Sequence, residues 1–367
     1  RCSWSSAPCA LLNCLYREGF AVLPGNVSWM VSAEDLAPGA GAAWDGWFAI
    51  AILPAGAPLR WVKAHCYRYA GKPGRYPLAA LEGFGTLGEV MIAWGNPGGV
   101  SVKREVPCGG ALESSPYPVR VELAGRFKLE GAAPEYLMSF KVPLEGASAT
   151  FRFRAGWPLW WSRFGRLLKY VGQHSTVNLK LDTGGGSIEV EGFGVMEHVS
   201  GASLPFDITG MFPVHFHWDV LAAHDGERPF DSAAGLCLGV KGRSLLSAGG
   251  AACLAGAAPG RMRTLMVRYL ELGREVAPAP SPRSWEATLR GRAGELNYTA
   301  CAATPAAPLV PGGGMLGFDY EGEWRPSGDS PRRVSGTGFT EYGGFSATLM
   351  SRDEAATGLE GTSRGLR

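Results

Sequence analysis

Apolar and charged residues alternate along much of the chain from about residue 117 onward. In the first such segment Val119, Val121 and Leu123 alternate with Arg120 and Glu122. The same period of two recurs in residues 151–154, 177–182, 188–191, 285–290 and 318–324. A period of two with one charged face is typical of an antiparallel strand that has one side in water. The pattern therefore predicts a series of antiparallel β-strands.

Turn-forming residues stand between these strands, as in Thr183-Gly184-Gly185-Gly186 and Pro311-Gly312-Gly313-Gly314. Regularly spaced strands without helical segments between them favour sandwich or barrel units. One helix is predicted, over Trp160 to Tyr170, although Gly165 is unfavourable inside a helix. The predicted fold class is therefore all-β, with few short helices.

A nine-residue pattern occurs twice. Residues 190–198 read Val-Glu-Gly-Phe-Gly-Val-Met-Glu-His, and residues 334–342 read Val-Ser-Gly-Thr-Gly-Phe-Thr-Glu-Tyr. The glycines indicate a strand with a close backbone approach or a bulge. We interpret the repeat as a duplicated β unit in which each copy ends on this strand. The boundary is then expected between Gly201 and Pro213, which predicts domains 1–204 and 205–350 and a polar tail over 351–367.

A second pattern accompanies the start of each predicted unit. Trp44-Asp45 precedes an apolar run that ends at Pro54–Gly56, and Trp218-Asp219 precedes Asp225-Gly226. Each is interpreted as a strand that begins with tryptophan and runs into a turn.

Composition supports a two-domain β protein. The 367 residues include 53 glycines and 26 prolines, which leaves little room for long helices. The net charge of +2 is spread along the chain without a polybasic stripe, so nucleic-acid binding is not expected. No run of about 18 apolar residues occurs, so no transmembrane segment is expected, whereas peripheral membrane or protein-complex association stays open. The chain begins at Arg1 without Met, which indicates a processed or truncated form and leaves the compartment undefined.

The Trp-Asp pattern followed by Asp-Gly, together with the closing strand V-x-G-x-G-φ-x-E, resembles the lipocalin-like superfamily of carotenoid hydratases and AttH-type proteins. The match is best at 334–342 and next best at 218–226. The resemblance implies two stacked lipocalin-like β-barrel domains in one chain. Members of that superfamily include hydratases of isoprenoid chains and cyclases of polyene or decalin precursors.

The repeated acids are the first candidates for chemistry. A glutamate inside an apolar barrel has a raised pKa and can exchange protons, and a neighbouring histidine can assist it. Glu197 and His198 are the predicted catalytic pair, because imidazole titrates near neutral pH while the phenol of Tyr342 does not. Adjacent strand residues point to opposite faces, so the pair requires a bulge. Glu341 and Tyr342 are expected to be structural or to contact ligand.

Further candidate positions are histidine or aromatic. His215 and His217 share a strand face, a spacing that suits a metal, but half-buried histidines without metal are the expectation. His217, Trp218, Trp160 and Trp161 are predicted ligand contacts, the last two in a lid or a core plug. Gly83-Phe84-Gly85-Thr86-Leu87-Gly88 matches G-x-G-x-x-G, but no strand precedes it and no helix follows, so a hairpin is expected. The eight cysteines contain no C-x-x-C, and no cofactor or metal is expected.

Three functions remain open at this point. The first is a cofactor-free hydratase, isomerase or cyclase that holds an isoprenoid- or polyketide-like substrate in a barrel cavity. The second is a non-catalytic protein that binds a lipid or pigment. The third is a structural subunit of a larger assembly, in which exposed aromatic residues form an interface.

Overall fold

A computed structural model describes most of the predicted strands. The described residues are 21–22, 33–39, 42, 44–69, 89–105, 112–116, 118–164, 168–201, 214–223, 232–240, 243–254, 260–276, 279–292, 294–309 and 313–343. The glycine motif at 83–88 and the tail at 351–367 lie outside these residues.

The first sheet contains twelve strands that are neighbours largely in chain order. It is formed by β1 (Ala21–Val22), β2 (Trp44–Ile52), β3 (Trp61–Tyr69), β4 (Val90–Asn96), β5 (Gly99–Glu105), β6 (Leu112–Pro116), β7 (Val119–Leu123), β8 (Phe127–Ala132), β9 (Glu135–Val142), β10 (Ala147–Phe164), β11 (Leu168–Asp182) and β12 (Ser187–Gly201). The order is β5-β4-β3-β2-β12-β11-β10-β9-β8-β7-β6, with β1 beside β10. The edge strands β5 and β6 are not paired with each other. The sheet curls so that Arg126, between β7 and β8, forms an ion pair with Glu105 of β5.

The second sheet closes on itself. It is formed by β13 (Val214–Ala223), β14 (Ser232–Val240), β15 (Arg243–Cys253), β16 (Gly260–Val276), β17 (Ala279–Gly291), β18 (Gly294–Ala302), β19 (Ala307–Pro308), β20 (Gly314–Pro326) and β21 (Arg332–Gly343). Each long strand pairs with the next along the chain, β21 pairs with β13, and β18 pairs with both β17 and β20. The long strands therefore form a ring, with β19 as a short addition beside β20. Closure removes the exposed edges that an open sheet would present.

These sheets confirm the all-β prediction and give a lipocalin-like architecture of two curled antiparallel units. The six alternating segments predicted from the sequence all lie in strands. The sheets divide the chain between Gly201 and Val214; the exact domain limits stay a prediction. The described helical structure is α1 (Ala33–Leu36) and a 3₁₀ turn at Pro143–Glu145. No described helix is long and apolar enough to cross a membrane.

The helix predicted over Trp160–Tyr170 is wrong. Residues up to Phe164 belong to β10 and residues from Leu168 belong to β11, and these two residues pair with each other. Trp160 also pairs with Val22 of β1. Aromatic residues suit the pleated surface of a strand, and neighbours on both sides satisfy the backbone hydrogen bonds.

The prediction that the two repeats are equivalent is confirmed by topology. Strand β12 pairs with β2 and β11, and β21 pairs with β13 and β20, so each repeat is the last strand of its sheet along the chain and pairs with the first long strand of that sheet. A Cβ on Gly192 would lie 2.6 Å from the carbonyl oxygen of Ile52, and one on Gly336 would lie 2.0 Å from that of Ala222. The glycines therefore permit a close approach to the first strand in both halves.

The Trp-Asp patterns are not equivalent in the same way. Glu197 of β12 lies opposite Phe48, and Glu341 of β21 lies opposite Trp218. Trp218 therefore takes the place of Phe48 and not of Trp44. The interpretation of the two Trp-Asp pairs as matching starts is wrong, because the pairing register differs by four residues.

Apolar side chains form three cores, one inside each sheet and one between the sheets. We call the third the inter-sheet core; it includes Ile50, Trp61, Trp218, Val220 and Phe339. Polar contacts surround it. Arg60 forms an ion pair with Asp319, Lys63 forms one with Glu341, and the indole N–H of Trp61 donates to Thr304 at 3.1 Å.

Candidate functional site

The predicted catalytic pair is divided between the two faces of β12. Val195 and Glu197 face the inter-sheet core, while Met196 and His198 face the interior of the first sheet. The register of β12 with β11 and with β2 contains no shift, so the bulge that the pair requires does not form. Glu197 and His198 therefore do not act on one another directly, and the prediction of a cooperating pair is wrong.

His198 anchors α1 to the sheet. Its Nδ1 lies 2.7 Å from the carbonyl oxygen of Asp35, and its Nε2 lies 3.2 Å from the carboxylate of Asp45. Trp47 stacks on the imidazole with 5.1 Å between ring centroids. Both ring nitrogens face hydrogen-bond acceptors, so this histidine is held on both sides.

The carboxylate of Asp45 is neutralised where it lies. Arg68 is 2.8 Å away and the N–H of Gly39 donates to Oδ1 at 2.8 Å. Burial raises the pKa of the Asp45 carboxyl. The hydrogen bond and charge of His198, together with Gly39 and Arg68, lower this pKa by more than burial raises it, so the net shift is downward. This group is a structural junction.

The two repeated glutamates also have partners. The hydroxyl of Tyr170 donates to the carboxylate of Glu197, and Lys63 of the first sheet forms an ion pair with Glu341 of the second. The Lys63 ammonium also lies 5.4 Å from the ring centroid of Phe48. Glu341 therefore joins the two sheets across the inter-sheet core.

A different constellation lies inside the second barrel. His217 and Asp219 are two residues apart on β13 and share its inner face. His217 is 1% exposed and Asp219 is fully buried. Strands β16, β17 and β18 contribute Tyr269, Trp285 and Tyr298 to the same place. We call the line Tyr269–His217–Asp219 the barrel relay.

Two donors bind Asp219 at Oδ2: Tyr298 donates its hydroxyl at 2.6 Å and Trp285 its indole N–H at 3.1 Å. Nε2 of His217 forms an ion-pair contact of 2.9 Å with Oδ1 that lies outside hydrogen-bond geometry, and it is 3.4 Å from the hydroxyl of Thr340. Burial raises the pKa of Asp219, but His217, Tyr298 and Thr340 together lower it below its ordinary value. Burial first, and then the charge of Asp219, raise the pKa of Tyr298, so this phenol keeps its proton and remains a donor.

The other nitrogen of His217 meets a tyrosine hydroxyl. Nδ1 lies 2.9 Å from the hydroxyl oxygen of Tyr269. Because Nε2 faces the carboxylate of Asp219, we assign the ring proton to Nε2, which leaves Nδ1 to accept the hydrogen bond from the Tyr269 hydroxyl. The register of β16 with β17 shifts between Tyr269 and Glu271, and such irregularities re-aim side chains. Tyr269 is half-buried, so the barrel relay runs from a buried anion to a residue that is partly exposed.

This arrangement can take up and return one proton. A proton arriving at the oxygen of Tyr269 displaces the phenolic proton to Nδ1, and the imidazolium that forms is stabilised by Asp219. His217 was predicted as a ligand contact, and its described polar neighbours are Asp219, Tyr269 and Thr340. No group of three or more potential metal ligands occurs among the residues that the structure describes.

Several relay residues were not predicted. Tyr269, Trp285 and Tyr298 lie far from residue 217 in the sequence and meet it only when the barrel closes. The spacing His217-Trp218-Asp219 places an imidazole and a carboxylate on one strand face, and this spacing is the feature of the sequence that could have indicated the relay. Trp218 itself points the other way, into the inter-sheet core.

Other predicted positions are only partly defined. Trp160 and Trp161 lie on β10 beside β1 and β11, and His215 lies on β13, but their side chains are outside the described part. Tyr342 points into the second barrel, where burial raises the pKa of its phenol. The ligand-contact role of these residues stays a prediction.

Two further histidines are buried between the sheets. His65 lies 2.8 Å from Glu89, and Nδ1 of His174 lies 2.5 Å from the hydroxyl of Ser232 in the second sheet. Burial lowers the pKa of His65 to about 4, despite the opposing effect of Glu89. Burial alone lowers the pKa of His174 to about 3, so both imidazoles are neutral near pH 7.

A cleft of about 870 Å³ opens between the two sheets, away from the barrel relay. It is lined by the end of β2, by β10, β11 and β12, and by Ala222, Ala223 and Thr337 of the second sheet.

Comparison with solved structures supports the fold. The chain is similar to the crystal structure of kievitone hydratase from Nectria haematococca, with a TM-score of 0.54 and 10% sequence identity. The match covers 89% of this chain and 96% of that one. No protein-family model matches the sequence, and no curated protein matches it.

Proposed function

We propose that this protein is an acid–base enzyme of the hydratase type, acting on a hydrophobic substrate at the barrel relay. The observation that carries the proposal is the continuous line from the buried carboxylate of Asp219 through His217 to the hydroxyl of Tyr269. Acid–base residues with shifted pKa values are common at active sites.

Hydration of a carbon–carbon double bond forms one C–O and one C–H bond and consumes one water molecule. In its protonated form the relay passes a proton from His217 to the Tyr269 oxygen while the Tyr269 hydroxyl gives its own proton to one carbon, and the electron pair of the double bond forms the new C–H bond. The water oxygen then adds to the neighbouring carbon, which is left electron-deficient. The proton that the water releases returns through Tyr269 to His217 and restores the relay.

The surroundings of the relay suit an apolar substrate. Trp285 lies 5.5 Å from His217 and 5.0 Å from Phe318, measured between ring centroids. Apolar walls strengthen electrostatic interactions inside a site. The fold shared with a hydratase supports the reaction class, and the resemblance to hydratases of isoprenoid chains suggests an isoprenoid-like substrate.

The same relay can serve an isomerase or a cyclase, since both move a proton without consuming water. No cofactor is required for any of these reactions. In a lipid carrier or a structural subunit, by contrast, the relay would be only a stabilising network. Isotopic labelling separates these alternatives.

The test uses acyclic isoprenoid polyenes and prenylated phenols as probes in water enriched with oxygen-18. A hydratase adds one labelled water per product, which mass spectrometry detects. We expect Tyr269→Phe to abolish incorporation, because the hydroxyl that contacts water is lost. Tyr136→Phe, which removes a buried hydroxyl in the first sheet, is the matched control and should turn over normally. A labelled product at an undiminished rate in Tyr269→Phe would overturn the proposal, and product without label would indicate isomerisation or cyclisation.

A further inference from the structure

The cleft between the sheets has one charged wall. Arg152 and Arg154 are two residues apart on β10 and share its outer face, where both are exposed. Asn178 lies opposite Arg152 on β11, and Thr176 lies opposite Arg154. Two guanidinium groups and two uncharged polar side chains therefore line the same patch.

Neither arginine has a hydrogen bond or an ion pair with another described residue. The other arginines that pack around the first sheet are engaged: Arg68 with Asp45, Arg104 with the carbonyl of Pro308, and Arg126 with Glu105. Planar guanidinium donors suit carboxylates, which they can bind through two parallel hydrogen bonds.

Two acidic residues limit the charge that the cleft accepts. Glu135 lies opposite Arg154 on β9, and Glu191 lies opposite Asn178 on β12. Neither forms an ion pair with the two arginines in the structure. Because two carboxylates flank two guanidiniums, a polyanion is disfavoured, and a ligand with a single negative charge is favoured.

The remaining wall is apolar. Ile52 and Phe193 of the first sheet face Ala222 of the second, and all three belong to the inter-sheet core. The volume of about 870 Å³ is within the range of sites for small organic ligands. An apolar wall beside unpaired guanidiniums suits an amphipathic molecule.

We propose that this cleft is a second ligand site, which binds an amphipathic monocarboxylate such as a fatty acid. The carboxylate lies between Arg152 and Arg154, and the alkyl chain packs against Ile52, Phe193 and Ala222. No residue of the barrel relay lines the cleft, so the site is separate from the proposed catalytic site.

Isothermal titration calorimetry with decanoate, decanol and butanoate tests this. We expect decanoate to bind more tightly than decanol, because only the acid pairs with the arginines, and more tightly than butanoate, because the short chain buries little apolar area. The double variant Arg152→Gln/Arg154→Gln should weaken the affinity for decanoate by at least about tenfold and leave the affinity for decanol unchanged.

Lys180→Gln is the matched control, since Lys180 is an exposed cation on the same face of β11 outside the cleft. It should bind decanoate as the unaltered protein does. Equal affinity for decanoate and decanol would overturn the role of the arginines, and equal affinity for decanoate and butanoate would overturn the apolar wall. Absence of decanoate binding, or unchanged binding in the double variant, would overturn the site. None of these results alters the expectation for Tyr269→Phe.

Discussion

Two buried aspartates of this protein are stabilised differently. Each has a histidine beside its carboxylate, His198 at Asp45 and His217 at Asp219. The other ring nitrogen of His198 lies against the backbone carbonyl of Asp35, which has no proton to exchange, whereas that of His217 lies against the hydroxyl of Tyr269. Only the second arrangement therefore supports proton transfer, and for that reason we assign the chemistry to His217 and not to His198.

The first prediction concerns the repeated glutamates. Glu341→Gln leaves Lys63, which is 1% exposed, without its countercharge, so we expect a loss of about 3 kcal/mol in the free energy of unfolding. Glu197→Gln keeps a hydrogen bond to Tyr170 and should lose about 1 kcal/mol. Denaturant unfolding of both variants measures the difference. An equal loss in the two would show that Lys63 does not depend on Glu341.

The second prediction concerns pH. The pKa values of about 4 for His65 and about 3 for His174 lie below the ordinary value of 6.5, so the unfolded chain binds protons that the folded chain does not. Stability is then unaffected by these groups above about pH 7 and falls as the pH drops from 6.5 towards 4. Below about pH 4 the buried carboxylates with lowered pKa values, among them Glu89 and Asp219, extend the loss.

Thermal melts between pH 8 and pH 4 measure this dependence. Each buried histidine contributes a slope of up to about 1.4 kcal/mol per pH unit. His174→Phe removes one titrating group and should make the curve less steep, whatever its effect on stability at pH 8. A curve of unchanged steepness would contradict the burial of neutral His174.

At the scale of elements, the closing strands β12 and β21 carry the duplication. Their sequence pattern was sufficient to predict equivalent positions, because only glycine fits where the closing strand approaches the backbone of the first strand. The alternation of apolar and charged residues was also sufficient to predict the strands from residue 117 onward, where one face of the strand is exposed to solvent. It failed for Trp160–Tyr170, since Trp and Phe side chains there suit a strand as well as a helix.

The relay could not be predicted from sequence in the same way. Tyr269 and Tyr298 are ordinary alternating residues of β16 and β18, and only barrel closure brings them to His217 and Asp219. The predicted pair Glu197-His198 was adjacent in sequence but lies on opposite faces, because β12 has no bulge. Chemistry that depends on distant strands requires the three-dimensional structure.

The third prediction tests the glycines of the repeat. Gly336→Ala would place a methyl group 2.0 Å from the carbonyl oxygen of Ala222, so β21 must shift. We therefore expect a loss of about 3 kcal/mol in the free energy of unfolding. Gly185→Ala lies in an open turn where no atom is within 4 Å, and it should change stability by less than about 0.5 kcal/mol. Denaturant midpoints for the two variants provide the comparison. A tolerated Gly336→Ala would contradict the close approach.

At the scale of the molecule, the two sheets share the inter-sheet core. Separating them would expose Trp61 on one side and Trp218 and Phe339 on the other. Large exposed apolar patches promote association. We therefore predict that residues 205–350 expressed alone bind a hydrophobic dye strongly and elute as oligomers in size-exclusion chromatography, whereas the full chain does neither. A monomeric fragment that does not bind the dye would show that the halves are independent.

Proton transfer along the barrel relay depends on the direction of the hydrogen bonds at His217. Nitrogen-15 NMR of histidine-labelled protein near neutral pH reports which ring nitrogen carries the proton, and His217→Gln assigns the signal among the six histidines. We predict a proton on Nε2 and an Nδ1 that accepts a hydrogen bond, with the Nδ1 resonance alone shifting in Tyr269→Phe. A proton on Nδ1, or a spectrum unchanged by Tyr269→Phe, would contradict the barrel relay and with it the proposed enzyme.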